Sequence, residues 1–217
     1  MEPVLFIAHH FPPMGGPGTH RSLQLVKRLP ALGFRPIVIT ITNEDVRSGP
    51  YSVDETLLAQ LPPEAIIVRI PTGEPRKFKR LMMKLRLYRF FWFFGYAWLY
   101  ESSAGWPKRV LPVARKLVRE HGIRLVYTSS GPYSALFAGR ALQKEGLRWV
   151  ADLRDPYSDA YAWQWPSKLH WKLSRRVEEK LLSFPDQLIV NTPETAALYR
   201  KRGFISPERL TVLTNGY

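Results

Sequence analysis

Three glycines, a threonine and an arginine fall within one short stretch, Gly15-Gly16-Pro17-Gly18-Thr19-His20-Arg21, and residues of these types at this spacing bind anions. Glycines let the backbone turn sharply and bring bare N–H groups close to a guest. If a helix begins there, its dipole adds partial positive charge. A phosphate is the guest such a loop fits. The stretch departs from both familiar phosphate fingerprints. Counting from Gly16, the third glycine of a dinucleotide turn is replaced by Arg21, and no Gly-Lys-Ser/Thr follows as in a P-loop. A plain tight turn is the alternative reading of Gly15-Gly16. Pro12, Pro13 and Pro17 stiffen the loop and favour a shaped site. His20 and Arg21 put positive charge in the first helical turn, a small cost that an anion would offset.

The neighbouring patterns say which elements position this loop. Val4–Ala8 is an apolar run of strand length, and Leu25, Val26, Leu29 and Leu32 recur at helical spacing until Gly33. Further strands are expected at Arg35–Thr42, Ala65–Ile70, Ile123–Thr128, Arg148–Asp152, Gln187–Asn191 and Leu210–Leu213. Between them the spacing predicts helices over Asp54–Leu61 (Asp54 as N-cap), Lys108–Glu120, Tyr133–Glu145, Ser167–Leu182 and Glu194–Arg202. In Ser167–Leu182 the stripe Leu169, Leu173, Val177, Leu181 is the expected buried face. Alternation of strand and helix predicts an α/β fold: a Rossmann-like parallel sheet of about seven strands, helices on both faces, forming one domain over 1–217. Ligands of such folds sit beyond the carboxyl ends of the strands. Those ends carry Thr128-Ser129-Ser130-Gly131-Pro132-Tyr133, Asp152-Leu153-Arg154-Asp155-Pro156, Asn191-Thr192-Pro193 and Thr214-Asn215-Gly216. Ser130, Asp155 and Thr192 also suit helix capping, and Thr192 is read as a cap. His9 and His10, adjacent on a strand end, point to opposite faces and do not chelate a metal.

Composition narrows the partners. The 217 residues contain no cysteine, which removes disulfides, thiolate metal sites and cysteine nucleophiles and suits a reducing compartment. The first apolar run lacks the basic leader and length of a secretory signal. The net charge is +14, and residues 76–124 hold thirteen Lys and Arg against Glu101 and Glu120. Lys77, Lys79, Arg80, Lys84, Arg86 and Arg89 interleave with Leu and Met, then Phe90–Leu99 runs uncharged and mostly aromatic, with Trp92 and Trp98. This stretch, an insertion around 76–100, is too short to span a bilayer. It reads as a segment contacting an anionic membrane surface, cations at the headgroups and aromatics at interfacial depth. The alternative is an insertion whose aromatics pack on the sheet. Nucleic acid is the weaker partner, because no helix-turn-helix or RNP-like pattern is present.

Taken together, Phe11-Pro12-Pro13 with Gly15-Gly16, then Ser129-Ser130-Gly131-Pro132-Tyr133-Ser134, Ala151-Asp152-Leu153-Arg154-Asp155-Pro156, Asn191-Thr192 and Thr214-Asn215-Gly216-Tyr217 resemble the amino-terminal, acceptor-side domain of a family 4 glycosyltransferase of the GT-B type. The resemblance covers nearly the whole chain. It implies one half of a GT-B fold and an enzyme transferring a sugar from a nucleotide-sugar to a glycan or lipid-linked acceptor, on the cytoplasmic face of the membrane. Gly15 and Gly16, with Gly18, Thr19 and Arg21, would meet the donor phosphate or sugar. Ser129, Ser130, Tyr133, Arg154 and Asp155 would meet the acceptor. The nucleotide-sugar is a substrate, and neither a cofactor nor a metal is implied. Many members carry a histidine after the fourth strand. Here Thr128-Ser129-Ser130 stands there and Leu136 follows, so no catalytic base is assigned. Tyr217 falls where the family's interdomain linker would begin, so a donor-binding carboxy-terminal domain is expected in cis or as a separate subunit. The other reading is a non-catalytic Rossmann-like module that holds a phosphorylated ligand or supports a catalytic subunit.

Overall fold

Seven short runs rich in Val, Ile and Leu form strands, and all seven lie parallel in one sheet. The computed structural model describes residues 1–73, 81, 84–85, 105–159, 165 and 167–215. The strands are β1 (Glu2–Ala8), β2 (Phe34–Ile41), β3 (Ile66–Ile70), β4 (Leu125–Ser129), β5 (Arg148–Leu153), β6 (Gln187–Val190) and β7 (Leu210–Val212). Among the described residues the α-helices are α1 (Pro17–Arg28), α2 (Asn43–Ser48), α3 (Trp106–His121), α4 (Ser134–Lys144), α5 (Lys168–Leu182) and α6 (Pro193–Arg202). The Asp54 segment is a 3₁₀ helix, Glu55–Gln60, with Asp54 capping it through Thr56 N. Thr192 caps α6 by accepting from Thr195 N, and Thr42 caps α2, which the hydrophobic pattern did not reveal.

Alternation along β1 and β2 divides the core. Phe6, Ala8 and Val38 face α1 and pack with Phe11 and Val26. Leu5, Ile7, Ile37 and Ile39 face the larger core, with Trp106, Val110 and Ala114 of α3 and Ala135, Leu136 and Leu142 of α4. Across β1 and β4 the partners Phe6 and Tyr127 stack at 4.7 Å. The strand order is β3-β2-β1-β4-β5-β6-β7, so it reverses between β1 and β4. The connections leaving those two strands run to opposite faces, which opens a crevice at their carboxyl ends.

One helix turns its face differently from the periodicity. In α5, Leu169 is 62% exposed, while His170, Ser174, Glu178 and Leu181 are buried. The inward stripe is polar because the Glu178 carboxylate accepts from Tyr157 N, Ser158 N, Ser158 Oγ, Tyr199 Oη and Arg202 Nη1. Burial still raises the Glu178 pKa, and the hydrogen bonds from Ser158, Tyr199 and Tyr157 offset part of that penalty.

Candidate functional site

The crevice between β1 and β4 gathers the loop after β1, the Ser129–Tyr133 turn and the segment after β5. Two arginines stand there in opposite circumstances. Arg21, the fifth residue of α1, forms a bidentate pair with Asp152 at the end of β5, Nε to Oδ2 at 2.8 Å and Nη2 to Oδ1 at 2.7 Å. Its Nη1 donates to Leu213 O at 2.8 Å and Asn215 Oδ1 at 3.1 Å. Both side chains are buried, at 3% and 0% exposure. Burial works against the Arg21 charge, but the hydrogen bonds and charge of Asp152 outweigh it and raise its pKa. The anion that offsets positive charge at the start of α1 is therefore an internal carboxylate.

Arg154 lies in a slot between two glycines. A Cβ on Gly18 would sit 1.9 Å from its Nη1, and one on Gly131 (φ +101°) would sit 1.7 Å from its Nη2. Ser130 holds it from below: Arg154 N donates to Ser130 Oγ at 3.1 Å and Nε to Ser130 O at 2.8 Å. Its Nη2 lies 3.1 Å from His10 Nδ1. Among the three loop glycines, Gly15 is closed off by Ser52, whose Oγ would lie 2.7 Å from a Cβ there, and Gly18 by Arg154. Gly16 (φ +102°) alone faces open space, with nothing within 4 Å. Thr19 is buried, and its Oγ1 has no partner among the described residues.

Of the residues expected to meet an acceptor, Ser129 and Ser130 are buried, and Ser130 serves to hold Arg154. Tyr133 donates to Asp155 O and meets Tyr157 edge-on at 4.5 Å, which fixes the exposed Asp155 beside it. Lys77, Lys79, Arg80, Arg86, Arg89, Trp92 and Trp98 lie outside the described residues. Lys84 is exposed, between Leu81 and Leu85 at 48% and 53% exposure. A cavity of about 690 Å³ runs along the other flank of α1, lined by Gly16, His20, Gln24, Arg28 and Asn215.

The sequence pointed to His10 only as a strand-end neighbour of His9 that does not chelate a metal, because its contact with Arg154 lies 144 positions away. β1 ends at Ala8, so the two histidines follow the strand and their rings meet edge-on at 5.4 Å instead of lying on opposite faces. His9 also packs edge-on against Trp106 and Tyr51. No cluster of three or more His, Asp or Glu that could hold a metal is present among the described residues. Burial, then His10 and Arg154, lowers the His9 pKa to about 3; burial, then Arg154, lowers that of His10 to about 4. A histidine whose folded pKa lies below its unfolded value of 6.5 favours folding above that pH and loses the contribution as pH falls toward the folded pKa. Each ring should cost on the order of 3 kcal/mol of stability between pH 7 and pH 4. Urea unfolding of the wild type and of His9→Phe/His10→Asn at both pH values checks this, since equal losses in the two proteins would exclude the histidines as the cause.

A parallel Rossmann-like sheet of seven strands, with glycine-rich and polar loops at the carboxyl ends of its strands, defines the class as an α/β fold. The glycosyl transferase 4-like domain model matches residues 15–216, and the chain belongs to that family. Its fold is similar to UDP-GlcNAc 2-epimerase from Neisseria meningitidis bound to UDP-GlcNAc (TM-score 0.59, 8% identity, 99% of this chain and 46% of that one). It is also similar to UDP-GlcNAc 2-epimerase from Methanocaldococcus jannaschii (TM-score 0.53, 11% identity, 99% and 46%). A third similar structure is a ugt transferase from Siraitia grosvenorii in complex with UDP (TM-score 0.51, 10% identity, 99% and 51%). The chain thus spans about half the length of these proteins. No curated protein sequence matches it. Among the described residues no helix is long and apolar enough to cross a membrane.

Proposed function

We propose that this chain is the acceptor-side half of a glycosyltransferase that moves a sugar from a nucleotide-sugar to a glycan or lipid-linked acceptor at a membrane surface. The observation that carries the reading is the crevice at the β1/β4 reversal, where Gly18 and Gly131 close on the half-buried Arg154 guanidinium in a chain of the glycosyl transferase 4-like family. A leaving diphosphate and a phosphorylated acceptor are both anionic, and a crevice that holds the Arg154 guanidinium suits either. Catalysis then rests on orientation and charge, with the departing diphosphate able to take the acceptor proton. The donor would be held chiefly by a second domain, in cis or as a separate subunit.

The basic and aromatic stretch around 76–100 supports contact with an anionic membrane surface, and the exposed Leu81, Lys84 and Leu85 are of the residue types that contact needs.

The experiment is transfer by the complete gene product, given labelled nucleotide-sugars and membranes from its host. Label should pass into the lipid or glycan fraction. Absence of transfer from every common donor, by a folded protein, would sink the reading. Glu at Lys77, Lys79, Arg80, Lys84 and Arg86 together should abolish co-sedimentation with anionic liposomes, and unchanged co-sedimentation would remove the membrane from the proposal.

A further inference from the structure

We infer that the outer face of α5 is a docking surface for a bilayer rich in anionic phospholipid, with Lys168, Lys172, Arg176 and Lys180 at the headgroups and Leu169 beneath them. The inference rests on the membrane reading above for what the contact serves, but its evidence comes from a helix outside the 76–100 stretch.

The four cations recur every four residues, so they follow one side of the helix over about 18 Å. All four are exposed, and none has an ion-pair partner among the described residues. The two acids of α5 do not offset them. Glu178 is buried in its own network, and Glu179 accepts from Arg175 Nε at 2.7 Å. The helix gains no stability from this pattern. Like charges four residues apart repel, and here three such pairs follow one another. Lys168 also opens the helix, where the dipole disfavours a cation, and no acid stands in that first turn. An anionic surface relieves both.

Leu169 decides between anions. It is 62% exposed amid the cations, with the half-buried Leu173 one turn on. A nucleic-acid backbone rewards the cations alone. An apolar side chain gains only where hydrocarbon lies just below the charge, as at the acyl boundary of a bilayer. The inner face of α5 fixes this presentation. Ser174, Glu178 and Leu181 are buried, so the helix cannot roll to hide Leu169. That same inner face holds the loop after β5, since Glu178 accepts from Tyr157 N and Ser158 N. A bilayer on the outer face therefore lies about 10 Å, one helix diameter, from the loop that follows Arg154 and Asp155.

The test exploits the absence of cysteine from the chain. Leu169→Cys is labelled with a polarity-sensitive dye, and Leu32→Cys, 70% exposed in the turn between α1 and β2, carries the same dye as a control. On vesicles of phosphatidylglycerol and phosphatidylcholine the emission at position 169 should shift to the blue, and that at position 32 should not. Lys168→Gln/Lys172→Gln/Arg176→Gln/Lys180→Gln removes the three repulsive pairs, so its melting temperature should hold. Its partitioning onto these vesicles should fall at least about tenfold. An unshifted dye at position 169 on vesicle-bound protein overturns the surface and leaves contact through 76–100 standing. Unchanged partitioning of the fourfold variant overturns it in the same way. Loss of oligouridine binding in that variant, with vesicle binding intact, makes the patch a nucleic-acid site and also overturns it. A wild type that does not partition at all defeats both membrane contacts. A dye that shifts at position 169 in a protein that transfers no sugar keeps the surface and loses the transfer reading, so the two failures are distinguishable.

Discussion

Asp152→Ala is expected to destabilise the protein by about 3–5 kcal/mol, the usual loss when one member of a buried ion pair is removed. The reason is the charge left behind. Arg21 is 3% exposed in its side chain, and the carboxylate it loses is the acceptor for both Nε and Nη2. Leu213 O and Asn215 Oδ1 remain on Nη1 only, so a full positive charge stays in the interior with two donors unbonded. The pair also joins α1 to the end of β5 and to the chain after β7, and its loss should loosen all three. Arg21→Met/Asp152→Leu removes both charges and should recover at least about 1 kcal/mol relative to Asp152→Ala, because the penalty lies in the orphaned charge. Denaturant unfolding of the two single variants and the double variant measures this. A loss under about 1 kcal/mol for Asp152→Ala, or strict additivity in the cycle, would show that the pair does not hold the edge together.

The second large effect is at Glu178. Its carboxylate accepts from Tyr157 N at 2.6 Å, Ser158 N at 3.3 Å, Ser158 Oγ at 2.5 Å, Tyr199 Oη at 2.7 Å and Arg202 Nη1 at 2.9 Å. Arg202 is itself buried and reaches Ser158 Oγ and Asp159. Glu178→Ala strands four neutral donors and one guanidinium, and should cost about 3–5 kcal/mol. Glu178→Gln keeps the shape and should cost less. The loop after β5 is what the carboxylate ties down, so amide exchange at Tyr157 and Ser158 should speed up even under conditions where the rest of the sheet stays protected. Stability and exchange both near wild type in Glu178→Ala would refute the anchoring role.

Much of the fold could be read from one dimension. Strand and helix periods depend on near neighbours, so all seven strands and the longer helices fall within a few residues of where the apolar spacing puts them. Thr192 and Asp54 are caps because a cap bonds two or three residues along its own chain, well within reach of a local pattern. The short α2 escaped notice because six residues present no stripe. The polar inward face of α5 escaped for a different reason. Leu169, Leu173, Val177 and Leu181 made the better apolar stripe, and only the donors of Tyr157, Tyr199 and Arg202 turn His170, Ser174 and Glu178 inward.

The site divides along the same line. By itself the sequence determined that glycines and polar groups gather at the carboxyl ends of the strands, since that follows from strand order along the chain and from residue type. Gly15-Gly16, Ser130-Gly131 and Arg154-Asp155 were all visible as loop residues for that reason. What each one does was decided by tertiary structure. Arg21 and Asp152 are 131 positions apart and Arg154 and His10 are 144, and no periodicity spans such separations. Electrostatic pairing acts at about 3 Å in space. Two arginines of identical chemistry therefore came to differ, one neutralised by a carboxylate and one left facing the crevice, only when the sheet brought β1, β4 and β5 side by side.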